Sequence, residues 1–507
     1  MKRKPFLPAV LLLALAATPA RAEVTVDWGA YLENDLRVAV DRVDDPGINR
    51  NTTSIGLNLN AGLLPDKLRF VGNVQFAWVG FTQDMEFHGL TMRDKVSPYY
   101  LESNAAYIEV LSVLPGLDLR VGRQVVHWGV ADMFNPTDNL NSTDLEDPLK
   151  FGEAIANEMI RLDYALGDNF IFTAVWVPVF QPAQLPSSAL IAIGDTSAEM
   201  PFIDPKVRLE GEKIRNLWLA NPAYYEVDDP NVTAHMPKTT LANSQFGLKV
   251  QWLAGLFDMS LSYYQGYDDL PKPKRSVSST RKTTSFAPDG SPVVGVVSDV
   301  DLVYPKQKVL GFDLAGQIGF LDDAGFWFEG AFVFPERIEM EFDVTAVAAG
   351  ARIIHGEVVS PDPFFKCTTG MDYSINKYVF ITGQFIHGFI DEFGAYNIHN
   401  YWVGGGDIKL LSERLLLRVF VVGEVPHEDD DIELDQDHDG LPDSPAIGAH
   451  NDGTIASYVL YPSITVKPVD GLELGLGGYF LMGHEESAFA RPAAGPSLAF
   501  FRAKAAF

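Results

Sequence analysis

The sequence predicts an all-β fold, a transmembrane antiparallel β-barrel of about eighteen strands preceded by a cleavable signal peptide. Three observations carry this prediction. Segments alternate apolar and polar residues with a period of two, turn chemistry joins those segments in pairs, and the chain opens on a basic, then apolar, then small-residue leader.

Lys2, Arg3 and Lys4 precede an apolar stretch from Ala9 to Ala17, and Ala20-Arg21-Ala22 follows as a small-residue cleavage site. Residues 1–22 are therefore read as a signal peptide and residues 23–507 as the barrel. The apolar stretch is too short for a permanent membrane helix. No later segment offers the ~18 uninterrupted apolar residues that a helical span requires.

The strand pattern is clearest where Phe246, Leu248, Val250 and Trp252 alternate with Gln245, Gly247, Lys249 and Gln251. One face suits lipid and the other suits water. Leu310, Phe312, Leu314, Ile318 and Phe320 against Gly311, Asp313, Ala315, Gln317 and Gly319 repeat it. Tight reversals rich in Gly, Pro, Asn, Asp or Ser fall near 64–67, 115–116, 167–169, 254–255, 322–325, 376–377, 412–413 and 467–471. Longer connections run between them, at roughly 42–51, 82–97, 129–156, 181–242, 267–304, 338–360, 391–399, 426–453 and 484–496. Alternating short and long connections imply an even strand number, with both termini on the short-turn side. The pattern never lapses long enough for a second domain.

The last segment sets Ala499, Phe501, Ala503, Ala505 and Phe507 against Phe500, Arg502, Lys504 and Ala506. A terminal Phe on such a strand resembles the signal read by the outer-membrane insertion machinery, which that resemblance implies as a partner during biogenesis. Aromatic residues such as Trp28, Trp78, Tyr99, Trp176 and Trp252 sit near strand ends, where girdles contact outer-membrane lipid headgroups; plain β-propensity is the competing account.

The formal charge is −28, and removing the leader's Lys2, Arg3, Lys4 and Arg21 makes it more negative still, which argues against a nucleic-acid partner. Cys367 stands alone, so an intramolecular disulfide and cysteine-ligated zinc or iron–sulfur sites are excluded.

Eighteen strands enclose a lumen that wall side chains alone cannot fill. The inward faces offer Lys249, Arg418, Arg502 and Lys504 against Asp313, Glu329 and Glu473, a mixed lining with no preference for one sign. The connection 182–241, stiffened by Pro182, Pro186, Pro201, Pro205, Pro222 and Pro230, either caps the surface or folds into the lumen as a constriction.

Within the acidic stretch 427–453, Asp435, Asp437 and Asp439 alternate ahead of Gly440, with the Leu441 carbonyl and Asp443 next in line. Alternate oxygens on a tight loop suit Ca²⁺. The segment resembles the calcium loops of EF-hands and thrombospondin type 3 repeats. It departs from the EF-hand at Ala446, where a bidentate Glu is expected, so Asp429, Asp430, Asp431 or Asp452 would have to complete the shell. Its role would be structural, and a solvated acidic loop is the alternative.

Gly122-Arg123-Gln124, Trp128-Gly129 and Asn135-Pro136 with Asp138 resemble a poorly characterised family of Gram-negative outer-membrane porin-like proteins. The resemblance covers about thirty residues. It implies an outer-membrane location and passage of small, often hydrophobic, molecules, and it supplies no catalytic residues. From the residues themselves, Arg123 is a candidate lumen charge and His127 with Asp132 a candidate solute contact; the alternative is a cap that orders the loop.

No G-x-S-x-G elbow is present, and His484-Glu485-Glu486 lacks the second histidine of a zinc protease. The expected function is therefore a passive channel for small solutes and not an enzyme. The alternatives are a non-conducting barrel whose Ca²⁺-stabilised loops bind a partner, and, last, a barrel hydrolase with residues gathered from distant strands. The solute and the oligomeric state are not encoded in any motif.

Overall fold

The structure is a computed structural model that describes residues 24–41, 47–64, 66–81, 90–132, 134–147, 149, 152–185, 218, 220–322, 324–347, 350–390, 392–395, 398–426, 456–484, 487–490 and 494–507. The leader and the whole of the acidic stretch 427–453 lie outside these residues.

Nineteen strand segments form one sheet. Two of them, Tyr99–Glu102 and Ala106–Leu114, both pair with Leu68–Val79 and together make a single stave, so the closed wall has eighteen strands among the described residues. We number the staves β1 (Thr25–Ala39), β2 (Ile48–Leu64), β3 (Leu68–Val79), β4 (the interrupted pair), β5 (Leu117–Gln124), β6 (Asn157–Leu166), β7 (Phe170–Val177), β8 (Gln245–Ala254) and β9 (Phe257–Tyr267). The second half comprises β10 (Lys306–Ile318), β11 (Ala324–Pro335), β12 (Phe364–Asn376), β13 (Val379–His387), β14 (Asn400–Leu410), β15 (Leu415–Glu424), β16 (Ser457–Val466), β17 (Leu472–Gly483) and β18 (Leu498–Ala506). Each pairs antiparallel with its sequence neighbour, and Tyr31↔Ala506 to Ala39↔Leu498 joins first to last. Closure leaves no unpaired edge in the wall.

The period of two sets the two faces. Phe172, Val250, Leu261 and Phe312 face each other across β7 to β10 on the outside, where apolar side chains stay exposed. Lys249, Ser260 and Asp313 stand inside. The short turns use left-handed backbone, with Gly116 at φ 79°, Gly167 at 62°, Gly255 at 67° and Gly471 at 81°.

The expected connections at 267–304 and 338–360 are not bare loops. The hairpin Lys272–Phe286/Pro292–Val303 continues β9 and β10 past the barrel rim, and Ile338–Asp343/Ile354–Val359 does the same between β11 and β12. They join in a six-stranded outer sheet that also takes Tyr225–Val227 and Asn231–His235, parallel to Pro292–Val303. Of the long connection after β7, residues 225–235 pair in this outer sheet, whereas Gln181 and Gln184 bond to Ser142, Thr143 and Leu145 of the connection between β5 and β6; residues 186–217 lie beyond the description. Met340, Val358 and Val359 of this sheet share one buried cluster with Trp128, Leu140 and Met159.

Candidate functional site

Among the described residues, the connection between β5 and β6 is the segment that enters the lumen. It leaves β5 at Gln124 and is closed at its base by Asn141, whose Oδ1 accepts the Val126 N–H at 2.8 Å while its Nδ2 donates to the Gln124 and Ile155 carbonyls at 3.1 and 2.9 Å. Buried backbone needs such partners because no water is there to supply them.

Glu329, fully buried on the inner face of β11, anchors the segment. Its Oε2 accepts the N–H of Val130 at 2.9 Å and of Ala131 at 3.3 Å. Gly129, at φ 98°, lies against the carboxylate so closely that a Cβ would sit 2.3 Å from Oε2. Trp128 and Leu140 fill the space left by Gly247 on β8, and Thr137 fills that left by Gly311 on β10. Thr368 on β12 donates to the Phe134 carbonyl at 2.7 Å.

The far end of the segment is held by the opposite wall. Asp147 accepts from Arg37 of β1 at 2.7 Å and from Arg50 of β2 at 2.8 Å, and Asp35 binds the same Arg37. In a ring of eighteen strands, β2 and β11 stand nine places apart and face each other across the bore. Strand spacing and tilt give a bore of roughly 35 Å between backbones. The eleven residues from Thr137 to Asp147 reach ~33 Å when extended, close to that width, and the Glu329, Arg37 and Arg50 side chains reach inward from the two walls to meet them. The segment is therefore a strap over the lumen, pinned at both ends.

The wall around the strap carries ion pairs. Lys249 Nζ lies 3.1 Å from Asp313, which also accepts from Ser260. Arg418 reaches both oxygens of Asp407, at 2.8 and 2.7 Å. Glu473 meets Lys467 at 3.6 Å near the short-turn rim. Arg123 departs from expectation: it shares the outer face of β5 with Val121, donates to the Ser103 carbonyl at 2.6 Å and pairs with Glu158 at 3.2 Å, so it is no lumen charge. The inner face at that point carries Gly122 and Gln124 instead.

His127 lies on the strap, its Nδ1 3.2 Å from Asp138 Oδ2. The hydrogen bond to Asp138 raises its pKa, while burial lifts the Asp138 carboxyl and His127 pulls it back. Asp132 is raised by burial and by the Asp372 carboxylate, and among the described residues no hydrogen bond or ion pair joins it to His127.

Beside the strap opens a cavity. Phe134, Phe364, Phe389 and Phe393 form an aromatic wall, with Phe134 and Phe389 centroids 4.7 Å apart and Phe364 and Phe393 at 5.2 Å. Asp138, Asp268, Asp269, Asn135 and Gln307 face them. Asp269 accepts the Thr143 N–H at 2.7 Å, and burial, reinforced by neighbouring Asp268, pushes its pKa up to about 6. Lys366 Nζ donates to the Phe389 carbonyl at 2.6 Å. The loop carrying Phe389 and Phe393 is braced by Glu392, where burial works to raise the carboxyl but bonds from His399, Tyr401 and the Phe389 N–H outweigh it and hold it below its usual range.

Sequence periodicity puts Lys249, Asp313, Glu329, Arg418 and Glu473 on inner faces, and the cavity uses none of them. Asp269, Gln307, Phe389 and Phe393 come from separate elements that only the closed fold unites, and no local motif marks them. Asp435, Asp437, Asp439, Leu441 and Asp443 lie outside the described residues. Among the described residues no group of three or more His, Cys, Asp or Glu is arranged to hold a metal.

Among curated proteins none matches the sequence. Among solved structures, the chain is similar to Acinetobacter baumannii OccAB3 at 9% identity and TM-score 0.46, over 95% of this chain and 99% of that one. Pseudomonas aeruginosa OccK8 (OprE) aligns at 9% identity and TM-score 0.46, over 95% and 98%. OmpT, an outer membrane protein of Vibrio cholerae, aligns at 11% and TM-score 0.37, over 96% and 100%. The model of the family described as a protein of unknown function (DUF1302) matches residues 56–450, and the chain belongs to that family.

Proposed function

We propose that this protein is an outer-membrane channel that passes small solutes beside a fixed internal strap. The observation that carries the proposal is the strap itself, pinned to Glu329 on one wall and to Arg37 and Arg50 on the other. A barrel of eighteen strands without it leaves a wide aqueous bore. With it, passage narrows to the spaces at its sides, which is how a pore gains selectivity by size and contact. The apolar outer belt supports a place in lipid, and the leader with its cleavage site supports export across the inner membrane. Barrel insertion machinery serves biogenesis in this reading, and the acidic loop at 427–453 binds Ca²⁺ as a structural ion.

The test is single-channel conductance of the refolded mature chain in a planar bilayer, beside a variant in which 127–139 is replaced by a short Gly-Ser linker. Small steps in the wild type and several-fold larger ones in the variant are expected. A correctly folded barrel silent in both forms overturns the proposal.

A further inference from the structure

We infer that the cavity beside the strap binds a protonated amine carried on an apolar body, an inference that rests on the channel reading only for its place on a solute path. Its buried polar wall leaves acceptor oxygens unmet and carries three carboxylates, Asp138, Asp268 and Asp269. Asp138 Oδ1 and Asn135 Oδ1 are buried without a partner among the described residues. Gln307, 6% exposed, lines the same cavity. Asp268 and Asp269 add two carboxylates.

The cations nearby are already engaged. Lys366 is spent on the Phe389 carbonyl, and His127 on the other Asp138 oxygen. Lys272 Nζ, buried behind the cavity wall, sits 3.8 Å from Asp268 and 4.9 Å from the Phe393 ring centre. That arrangement shows the setting stabilising an ammonium between a carboxylate and an aromatic face. A ligand ammonium brings three donors to the acceptors left over. A carboxylate or phosphate brings none and meets three acids. The four phenylalanines that line the same cavity suit an apolar or aryl body.

The experiment is calorimetry on the refolded full mature chain in detergent near pH 7.5, with phenethylammonium, phenethyl alcohol and 3-phenylpropanoate as probes. The ammonium should bind at least ~10-fold tighter than the alcohol, the order of one charge-assisted hydrogen bond, and the carboxylate should give no signal. Asp138→Asn and Asn135→Leu should each weaken the ammonium roughly tenfold. Heat-modifiable gel mobility verifies that every variant is a folded barrel. Equal or tighter binding of the carboxylate, no binding of the ammonium, or unchanged affinity in both variants overturns the inference. Binding is read without conduction, so the two readings fail separately: a silent barrel that binds the amine defeats the channel alone, and a conducting barrel indifferent to ligand charge defeats the amine site alone.

Discussion

Thr137 gives Glu329 Oε1 two hydrogen bonds, from its backbone N–H at 2.9 Å and its hydroxyl at 2.7 Å, while Val130 and Ala131 hold the other oxygen. A single carboxylate thus grips the strap at two points seven residues apart. Glu329→Ala leaves three buried N–H groups without an acceptor, each costing about 1–3 kcal/mol. The expected outcome is a barrel that still folds, with conductance raised several-fold and noisier open levels in bilayer recordings. Wild-type current from this variant argues against the anchor.

The opposite attachment is testable by a double-mutant cycle. Asp147 is shared between Arg37 and Arg50, and Asp35 and Arg502 extend the network. Arg37→Met and Asp147→Asn should couple by roughly 1–3 kcal/mol in urea unfolding in detergent, since each single change leaves buried charge unmatched. A coupling near zero would mean that Arg50 alone carries the pin.

Gly247 is a fitting surface for Trp128, whose ring lies 2.5 Å from where a Cβ would be. Gly247→Leu should displace the Trp128 end of the strap without disturbing the apolar outer face of β8. Tryptophan fluorescence should shift to the red and conductance should change, while heat-modifiable mobility stays that of a folded barrel.

Asp269 sets a pH dependence. Burial raises its carboxyl from near 4 to about 6, so its neutral form favours the fold. That contribution is full below about pH 4 and is lost as pH rises through about 6. Asp269→Asn cannot ionise and escapes the loss. The difference in melting midpoint, variant minus wild type, should be near zero at pH 4 and positive by a few degrees at pH 8; a difference independent of pH would refute this origin.

Calcium is testable on the acidic loop directly. Asp435→Asn, Asp437→Asn and Asp439→Asn combined should abolish a calorimetric Ca²⁺ signal from the mature chain and leave the barrel folded, as alternate carboxylates supply the charge such a site needs.

The wall is legible in the sequence because lipid outside and water inside impose a period of two, and each short turn advertises itself by residues such as Gly116 or Gly255. The strap is not legible. Val126, Trp128, Phe134 and Leu140 follow no period, because they pack irregularly against a surface assembled from β8, β10, β11 and β12. Gly247 and Gly311 read as thin pore lining and are in fact sockets. Glu329 falls on the expected face, but nothing in its neighbourhood of sequence reveals that it answers to residues 130 and 137. The hairpin 272–303 reads as loop only because its length exceeds a membrane span; Val293 to Val303 has ordinary strand composition.

The strap also couples distant parts of the chain. It is synthesised between the fifth and sixth strands, whereas the carboxylate that anchors Thr137 arrives 192 residues later. The cylinder shuts only when the first strand meets the last. The two ends of the filling are thus joined to walls that meet only when the cylinder is complete, so the packed interior and the sealed seam depend on each other.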